Sequence, residues 1–363
     1  FNRNPQFHDD FNWFVNKPLD ETFNLSRLFL RDNIVKKLWK TIRLIKESNV
    51  VFTSGKIANL VSLCHKPYIY FSYGSDLDQY SKYGDCIFGV KGQSNAPLFR
   101  RYIKTLLINP VIRQLYRTAI RQADTTIIAQ YQHKDISELG YKRLGFFPHI
   151  LEADFWNITL ADKKKHKAWI QGKYDCERAM FSSTRHVWDR SYENESDFKG
   201  NNIIIEALKL YLEQTGDKRI KLFLVEKGQD INLSKKLIKE LELTEFVVWL
   251  NPMPRGKLIE FYSGADVFLD EFGRGCFALC AVEAMACGTP TVSYIGKKNT
   301  EVPFYPEIPY LLNTKEPAII CNYLVRLLSD NIFNQNEEEK TFQWVRDNCS
   351  NKAICNAIFQ MAA

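Results

Sequence analysis

Several residues in this sequence are spaced so that they could do chemistry on an anion. Residues 265–292 read ADVFLDEFGRGCFALCAVEAMACGTPTV. The apolar run 267–269 has the length of a buried strand. A loop with Gly273 and Gly275 follows, and residues 278–287 read as a helix rich in small residues, stopped by Gly288 and Pro290. N–H groups freed at such a helix start can hold a phosphate, so the backbone of Phe277, Ala278 and Leu279 is a candidate anion cradle. Glu283 lies inside that helix between Val282 and Ala284; a carboxylate there can accept two hydroxyl groups at once. Upstream, Arg185 leaves a predicted strand, and Lys199, followed by Gly200, opens a predicted helix. Both cations fall at the carboxyl edge of one sheet. Asp270 and Glu271 end the strand before the glycine loop as adjacent acids, without the Asp-x-Asp spacing of a shared metal site.

Elements that alternate along the chain must position these residues. Strands are predicted at 50–52, 67–71, 125–129, 145–148, 179–183, 220–225, 246–250, 267–269 and 291–294. Helices are predicted at 34–47, 58–64, 201–214, 233–241, 256–263, 278–287, 317–330 and 336–359. Such alternation implies parallel sheets. The loop Tyr73-Gly74-Ser75-Asp76 then sits at a strand's carboxyl end, where doubly wound sheets bind ligands; as a plain turn it would need no ligand. A polar insertion, 188–198, separates Arg185 from Lys199.

A length of 363 residues accommodates two domains. No stretch reads as a signal peptide or a membrane span. The expected place is cytoplasmic, peripheral to the inner face of a membrane. The nine cysteines lack Cys-x-x-Cys spacing and read as reduced thiols. A net charge of +7 comes without any nucleic-acid motif, so no nucleic-acid partner is expected. No Walker loop and no strand followed by Gly-x-Gly-x-x-Gly is present, which argues against nucleoside triphosphatases and dinucleotide oxidoreductases. Between Asp85 and Asp124 there is no acid, while Lys91, Arg100, Arg101, Lys104, Arg113, Arg117 and Arg121 lie there. Arg113, Arg117 and Arg121 share a helix face. This stretch, 91–121, suits an anionic membrane, a solvated face or an anionic acceptor.

The run Glu283-Ala284-Met285-Ala286-Cys287-Gly288-Thr289-Pro290 resembles the donor-site signature of retaining glycosyltransferases of the GT-B fold, family 4 type (glycosyl transferases group 1). Arg185 and Lys199-Gly200 resemble that family's Arg…Lys-Gly pair, and Gly74-Ser75-Asp76 resembles its loop in the amino-terminal domain. The chain departs from the pattern where Gly275 stands for the first of two glutamates and where His149-Ile150 replaces Asn-Gly at the domain crossing. The resemblance implies two Rossmann-like domains with parallel sheets facing across a cleft, and a last helix crossing back. The domains would be 1–154 on the acceptor side, with the first βα units missing or upstream, and 155–340 on the donor side, with 341–363 returning.

The implied activity is sugar transfer from a UDP- or GDP-sugar to a hydroxyl of a glycan or lipid-linked acceptor, with retention, no cofactor and no metal. Arg185 and Lys199 would neutralise the leaving diphosphate. Glu283 would hold the ribose, and the Met253 backbone the nucleobase. Glu271, or Asp270, would reach the sugar in place of the missing glutamate. His149 and Gly74–Asp76 would lie on the acceptor side. Two alternatives stay open. One is an inverting transferase or nucleotide-sugar epimerase, an inverting enzyme needing Asp76 or His149 as base. The other is a nucleotide-sugar-binding subunit without catalysis, which Gly275 favours.

Overall fold

The structure, a computed structural model, describes residues 34–55, 57–72, 77, 81, 109–128, 132–146, 149, 151, 153–189, 198–296 and 309–362. It divides into two units, Pro148–Cys355 and Asn4–Phe147 with Asn356–Ala363. In chain order the first unit met contains α1 (Ile34–Glu47), β1 (Val51–Thr53), α2 (Ile57–Leu63), β2 (Tyr68–Phe71), α3 (Asn109–Gln122), β3 (Thr125–Ile128), α4 (His133–Leu139) and β4 (Leu144–Phe146). Its four strands are parallel, in the order β1-β2-β3-β4. Tyr68, Tyr70 and Ile128 pack there against Ala58, Val61 and Ile120 of the helices. Gly74, Ser75 and Asp76 lie outside the described residues, as do Lys91, Arg100, Arg101 and Lys104.

The second unit runs α5 (Ala153–Trp156), α6 (Leu160–Tyr174), β5 (Arg178–Ser182), α7 (Asn201–Thr215), β6 (Ile220–Val225), α8 (Ile231–Glu240), β7 (Val247–Leu250), α9 (Arg255–Gly264), β8 (Val267–Leu269), α10 (Leu279–Ala286), β9 (Thr291–Ser293), β10 (Leu312–Asn313), α11 (Pro317–Ser329) and α12 (Asn331–Cys349); α13 (Asn351–Ala362) ends the chain. All six strands are parallel, in the order β10-β9-β8-β5-β6-β7. This is the order of the dinucleotide-binding doubly wound sheet, and it reverses between β5 and β8.

Both faces of this sheet are buried, which is why its strands read as unbroken apolar runs. Alternate residues enter different cores. Met180, Leu222, Leu224, Val267 and Leu269 pack with Ile204 and Leu208 of α7 and Leu324 of α11. Phe181, Phe223 and Phe268 pack with Ile170 of α6, Phe261 and Tyr262 of α9, and Met285 of α10. Each fully buried phenylalanine contributes ~2–3 kcal/mol.

The sequence expectation names none of α4, α5, α6 and β10, and it joins the last two helices into one. Helix α6 is not foreseen because Ile170 is its one fully buried hydrophobe. A capping box starts it: Thr159 Oγ1 accepts from Asp162 N at 3.2 Å and Asp162 Oδ2 accepts from Thr159 N at 3.0 Å. The single helix expected at 336–359 is two. The Asp330 side chain starts α12 by accepting from Ile332 N and Phe333 N, both at 3.0 Å. Ser350, extended at φ −61° and ψ 154°, ends it.

No helix among the described residues is long and apolar enough to cross a membrane. No disulfide joins the described cysteines.

Candidate functional site

The site is built where the strand order reverses. The connections leaving β5 and β8 go to opposite faces of the sheet, so a crevice opens between their carboxyl ends. Thr184 and Arg185 follow β5; Asp270 and Glu271 follow β8. Thr184 Oγ1 donates to Asp270 Oδ1 at 3.3 Å across the crevice. Lys199 Nζ forms an ion pair with Glu271 Oε2. The loops that carry this pair are themselves bonded, since Lys199 O accepts from Phe272 N at 2.9 Å and from Gly273 N at 3.2 Å. Gly200 allows it: its φ is +72°, and a Cβ there would stand 2.9 Å from Gly273 N. Arg185 is exposed in the loop after β5.

Asp270 and Glu271 are each 1% exposed. Asp270 Oδ2 and Glu271 Oε1 have no hydrogen-bond partner among the described residues. A buried acceptor left so is costly, and calls for an explanation such as a ligand. Burial, and next the Glu271 charge, push the Asp270 carboxyl up to about 7 against the opposing pull of Lys199.

Glu283 is a second station. Helix α10 buries it to 2% exposure. Tyr262 OH donates to its Oε2 at 3.0 Å, and Arg255 Nη2 lies 2.7 Å from its Oε1. Tyr262 OH is also 2.8 Å from Ser183 Oγ, so a hydrogen-bonded chain runs from the end of β5 to Glu283. One hydrogen bond and one ion pair do not exhaust the carboxylate's lone pairs, and further hydroxyls can be accepted. Cys280, one turn earlier, has its thiol pushed up to about 12, first by burial and then by the Asp270 and Glu283 charges. It stays protonated at neutral pH.

The loop before α10 is fixed from outside the helix. His149 is half-buried, and its Nε2 donates to Phe277 O at 3.2 Å, with the two rings edge to face at 5.1 Å. Burial lowers the imidazole to about 4, more than the carbonyl bond raises it, so the ring is neutral. Phe277 also meets Trp344 edge to face at 5.6 Å. His149 therefore stands against the loop expected to bind the donor, within the second unit. Ala278 is the extended residue before α10, and no side chain caps it. The first-turn N–H of Leu279 precedes the intrahelical bonds, the state in which a helix start attracts anions.

Gly275 has φ +75°. A Cβ there would lie 2.8 Å from Gly296 N and 2.9 Å from Tyr294 Cε1, while Gly296 N donates to Gly275 O at 3.0 Å. No glutamate fits this loop conformation. Met253 is half-buried against the aromatic core in the loop after β7, with Asn251 and Pro252 exposed. Among the described residues no group of three or more His, Cys, Asp or Glu could hold a metal ion.

The sequence reading thus finds Lys199, Asp270 and Glu271 brought together, and Glu283 buried nearby in sequence but engaged by other groups. It missed Thr184, Ser183, Tyr262 and Arg255. An aromatic residue on the apolar side of a helix reads as core, and Tyr262 gives no other signal. Arg255, two residues after Met253, could have been flagged as a cation beside the expected base-binding loop.

Residues 194–342 match the model of the family described as glycosyl transferases group 1. A D-inositol 3-phosphate glycosyltransferase of Corynebacterium aurimucosum is 31% identical over 100 residues, which are 26% of this chain and 24% of that protein. The one from Corynebacterium urealyticum is 29% identical over 138 residues, 36% of this chain and 32% of that protein. The chain thus spans a quarter to a third of the length of these relatives.

Among solved structures, Anabaena HepE in complex with UDP superposes with a TM-score of 0.58 at 12% identity, over 91% of this chain and 81% of that one. Sucrose-phosphate synthase from Thermosynechococcus elongatus gives 0.54 at 19% identity, over 92% and 79%. The strand order and the neighbours in structure agree on the GT-B fold, and residues 194–342 are similar to the glycosyl transferases group 1 family.

Proposed function

We propose that the protein transfers a sugar from a nucleoside-diphosphate sugar, UDP- or GDP-linked, to a hydroxyl of a glycan or lipid-linked acceptor, with retention and without a metal. The observation that carries this reading is Lys199, held by Glu271 at the switch point of a doubly wound sheet and followed directly by the start of α7. As the bond from the anomeric carbon to the diphosphate oxygen breaks, its electron pair goes to the phosphate. Lys199 and Arg185 meet that growing charge, and fixed cations in a partly dry site do so without reorganisation. The acceptor oxygen bonds to the anomeric carbon on the same face, and its proton goes to the leaving phosphate. Glu271 is freed when Lys199 turns to the diphosphate, and then accepts from a donor-sugar hydroxyl. Glu283 accepts from the ribose, and the Met253 backbone meets the base.

HepE has been solved with UDP-glucose, and the similar Corynebacterium proteins are named for D-inositol 3-phosphate. UDP-glucose and a polyol phosphate are therefore the first donor and acceptor to offer. The proposed place of action is the cytoplasm, at the inner face of a membrane through 91–121.

The test is a panel of UDP- and GDP-sugars, reading thermal stabilisation and nucleoside-diphosphate release. A ligand bound only by the folded state raises its stability. Lys199→Ala and Arg185→Ala are each expected to lose on the order of 100-fold in turnover with the melting temperature kept. Wild-type rates in either variant remove the assignment. A second reading, a binding subunit without catalysis, is favoured by Gly275; it predicts stabilisation by nucleotide sugars with no release.

A further inference from the structure

We propose that Asp230 is a positioning residue for the diphosphate subsite, a role that rests on the donor-binding reading above. Asp230 is 1% exposed and precedes α8, yet its side chain does not cap that helix. It reaches back to the loop after β5 instead. Its Oδ2 accepts from Trp188 N at 2.6 Å and from Asp189 N at 3.0 Å, and its own N–H donates to His186 O at 3.0 Å. Bonds from N–H groups to a carboxylate are about twice as strong as neutral ones. Asp230 forms no ion pair among the described residues, and these amides hold its buried carboxyl through Oδ2.

The same loop is tied at every other step. His186 N donates to Lys227 O at 2.7 Å, and Lys199 N donates to Val187 O at 2.6 Å. Asn201 Oδ1 accepts from Val187 N at 3.1 Å. His186 Nδ1 and Trp188 Nε1 both meet Ser234 Oγ, at 2.8 and 2.7 Å. Arg185 is the residue between Thr184, bonded to Asp270, and His186, bonded to Lys227 and Asp230. Lys199 hangs on Val187. Asp230 thus fixes one loop segment from which both proposed phosphate cations take their places. Eleven residues, 188–198, part Val187 from Lys199 in sequence, while a hydrogen bond joins the two in space. The clamp at 188–189 adds to these bonds in keeping Arg185 and Lys199 in register.

The test compares wild type, Asp230→Ala and Asp230→Asn in the full chain, measuring affinity for UDP and GDP beside uridine and guanosine, with melting temperature as the control on folding. Asp230→Ala is expected to lose on the order of 10-fold or more in diphosphate affinity while nucleoside affinity is kept. Asp230→Asn keeps an acceptor oxygen and is expected to recover most of the loss. Asn201→Ala, which frees Val187, gives the same split if Asp230→Ala does not fold. Equal losses for diphosphate and nucleoside, or none, overturn the inference. A wild type that binds neither diphosphate overturns the donor reading itself.

Discussion

Gly275 carries a lesson about a missing side chain. The family pattern puts a glutamate there, but the backbone is left-handed and Gly296 N and Tyr294 fill the space a Cβ would need. The acids available to the crevice are those ending β8, and two of their oxygens lack partners among the described residues. If Glu271 replaces the glutamate, Glu271→Gln is expected to lose turnover and nucleotide-sugar affinity with nucleoside-diphosphate affinity unchanged; normal turnover would exclude the sugar contact. Asp270 makes a separate prediction. Its folded carboxyl titrates at about 7, above the ordinary 3.8. The folded state therefore holds the proton more tightly. Its contribution to stability is full below about pH 4 and is lost as pH rises through about 7. Asp270→Asn removes the titration, so its gain in melting temperature over wild type should be larger at pH 8 than at pH 5. An equal difference at both pH values would show that Asp270 is not held protonated.

At the scale of elements, helix α3 separates two uses of arginine. The spacing of Arg113, Arg117 and Arg121 suggests one basic face, and a membrane, a solvated face and an anionic acceptor remain the readings of it. In the structure Arg117 Nε donates to Ser81 O at 2.9 Å and Arg121 Nε to Leu139 O at 2.7 Å, while Arg113 is exposed. Charge reversal should then split. Arg121→Glu is expected to lower the melting temperature, because it leaves a carbonyl unpaired and puts an acid beside it. Arg113→Glu is expected to keep the melting temperature and weaken binding to phosphatidylserine vesicles by ~1 kcal/mol. Vesicle binding that is absent in wild type would leave α3 a solvated face or a groove for an anionic acceptor.

The same contrast explains what the sequence disclosed. Strands β5, β6 and β8 were legible because both their faces are apolar, and the signature around Glu283 was legible because small residues and a glycine stop are unusual together. Helix α6 was not, because it docks through polar atoms: His166 Nδ1 to Ser263 Oγ at 2.6 Å, Lys163 Nζ to Gly288 O at 2.7 Å and Lys167 Nζ to Asp266 Oδ1 at 2.5 Å. Apolar periodicity cannot report a helix held that way. Asp230 was hidden for a like reason, since its partners are backbone amides of a distant loop.

For the whole molecule the question is how a departing diphosphate is neutralised: by a divalent ion or by the chain itself. The chain carries a net charge of +7, and two of its cations are proposed for the phosphates. The nearby acids are poorly suited to a hard cation, which takes ionised oxygens in numbers. Glu271 is already paired with Lys199, and burial pushes the Asp270 carboxyl up towards its neutral form. Turnover is therefore expected to be unchanged in EDTA. Loss of turnover that Mg or Mn restores would reverse the assignment and make the cations auxiliary. Salt provides the complementary measurement. Attraction between fixed cations and a dianionic leaving group extends over about 10 Å at 0.1 M ionic strength and only about 3 Å at 1 M. The association rate of a nucleotide sugar should fall as salt rises, and more weakly in Lys199→Ala than in wild type. An association rate indifferent to salt in both would mean that the charge of the chain does not act at this crevice.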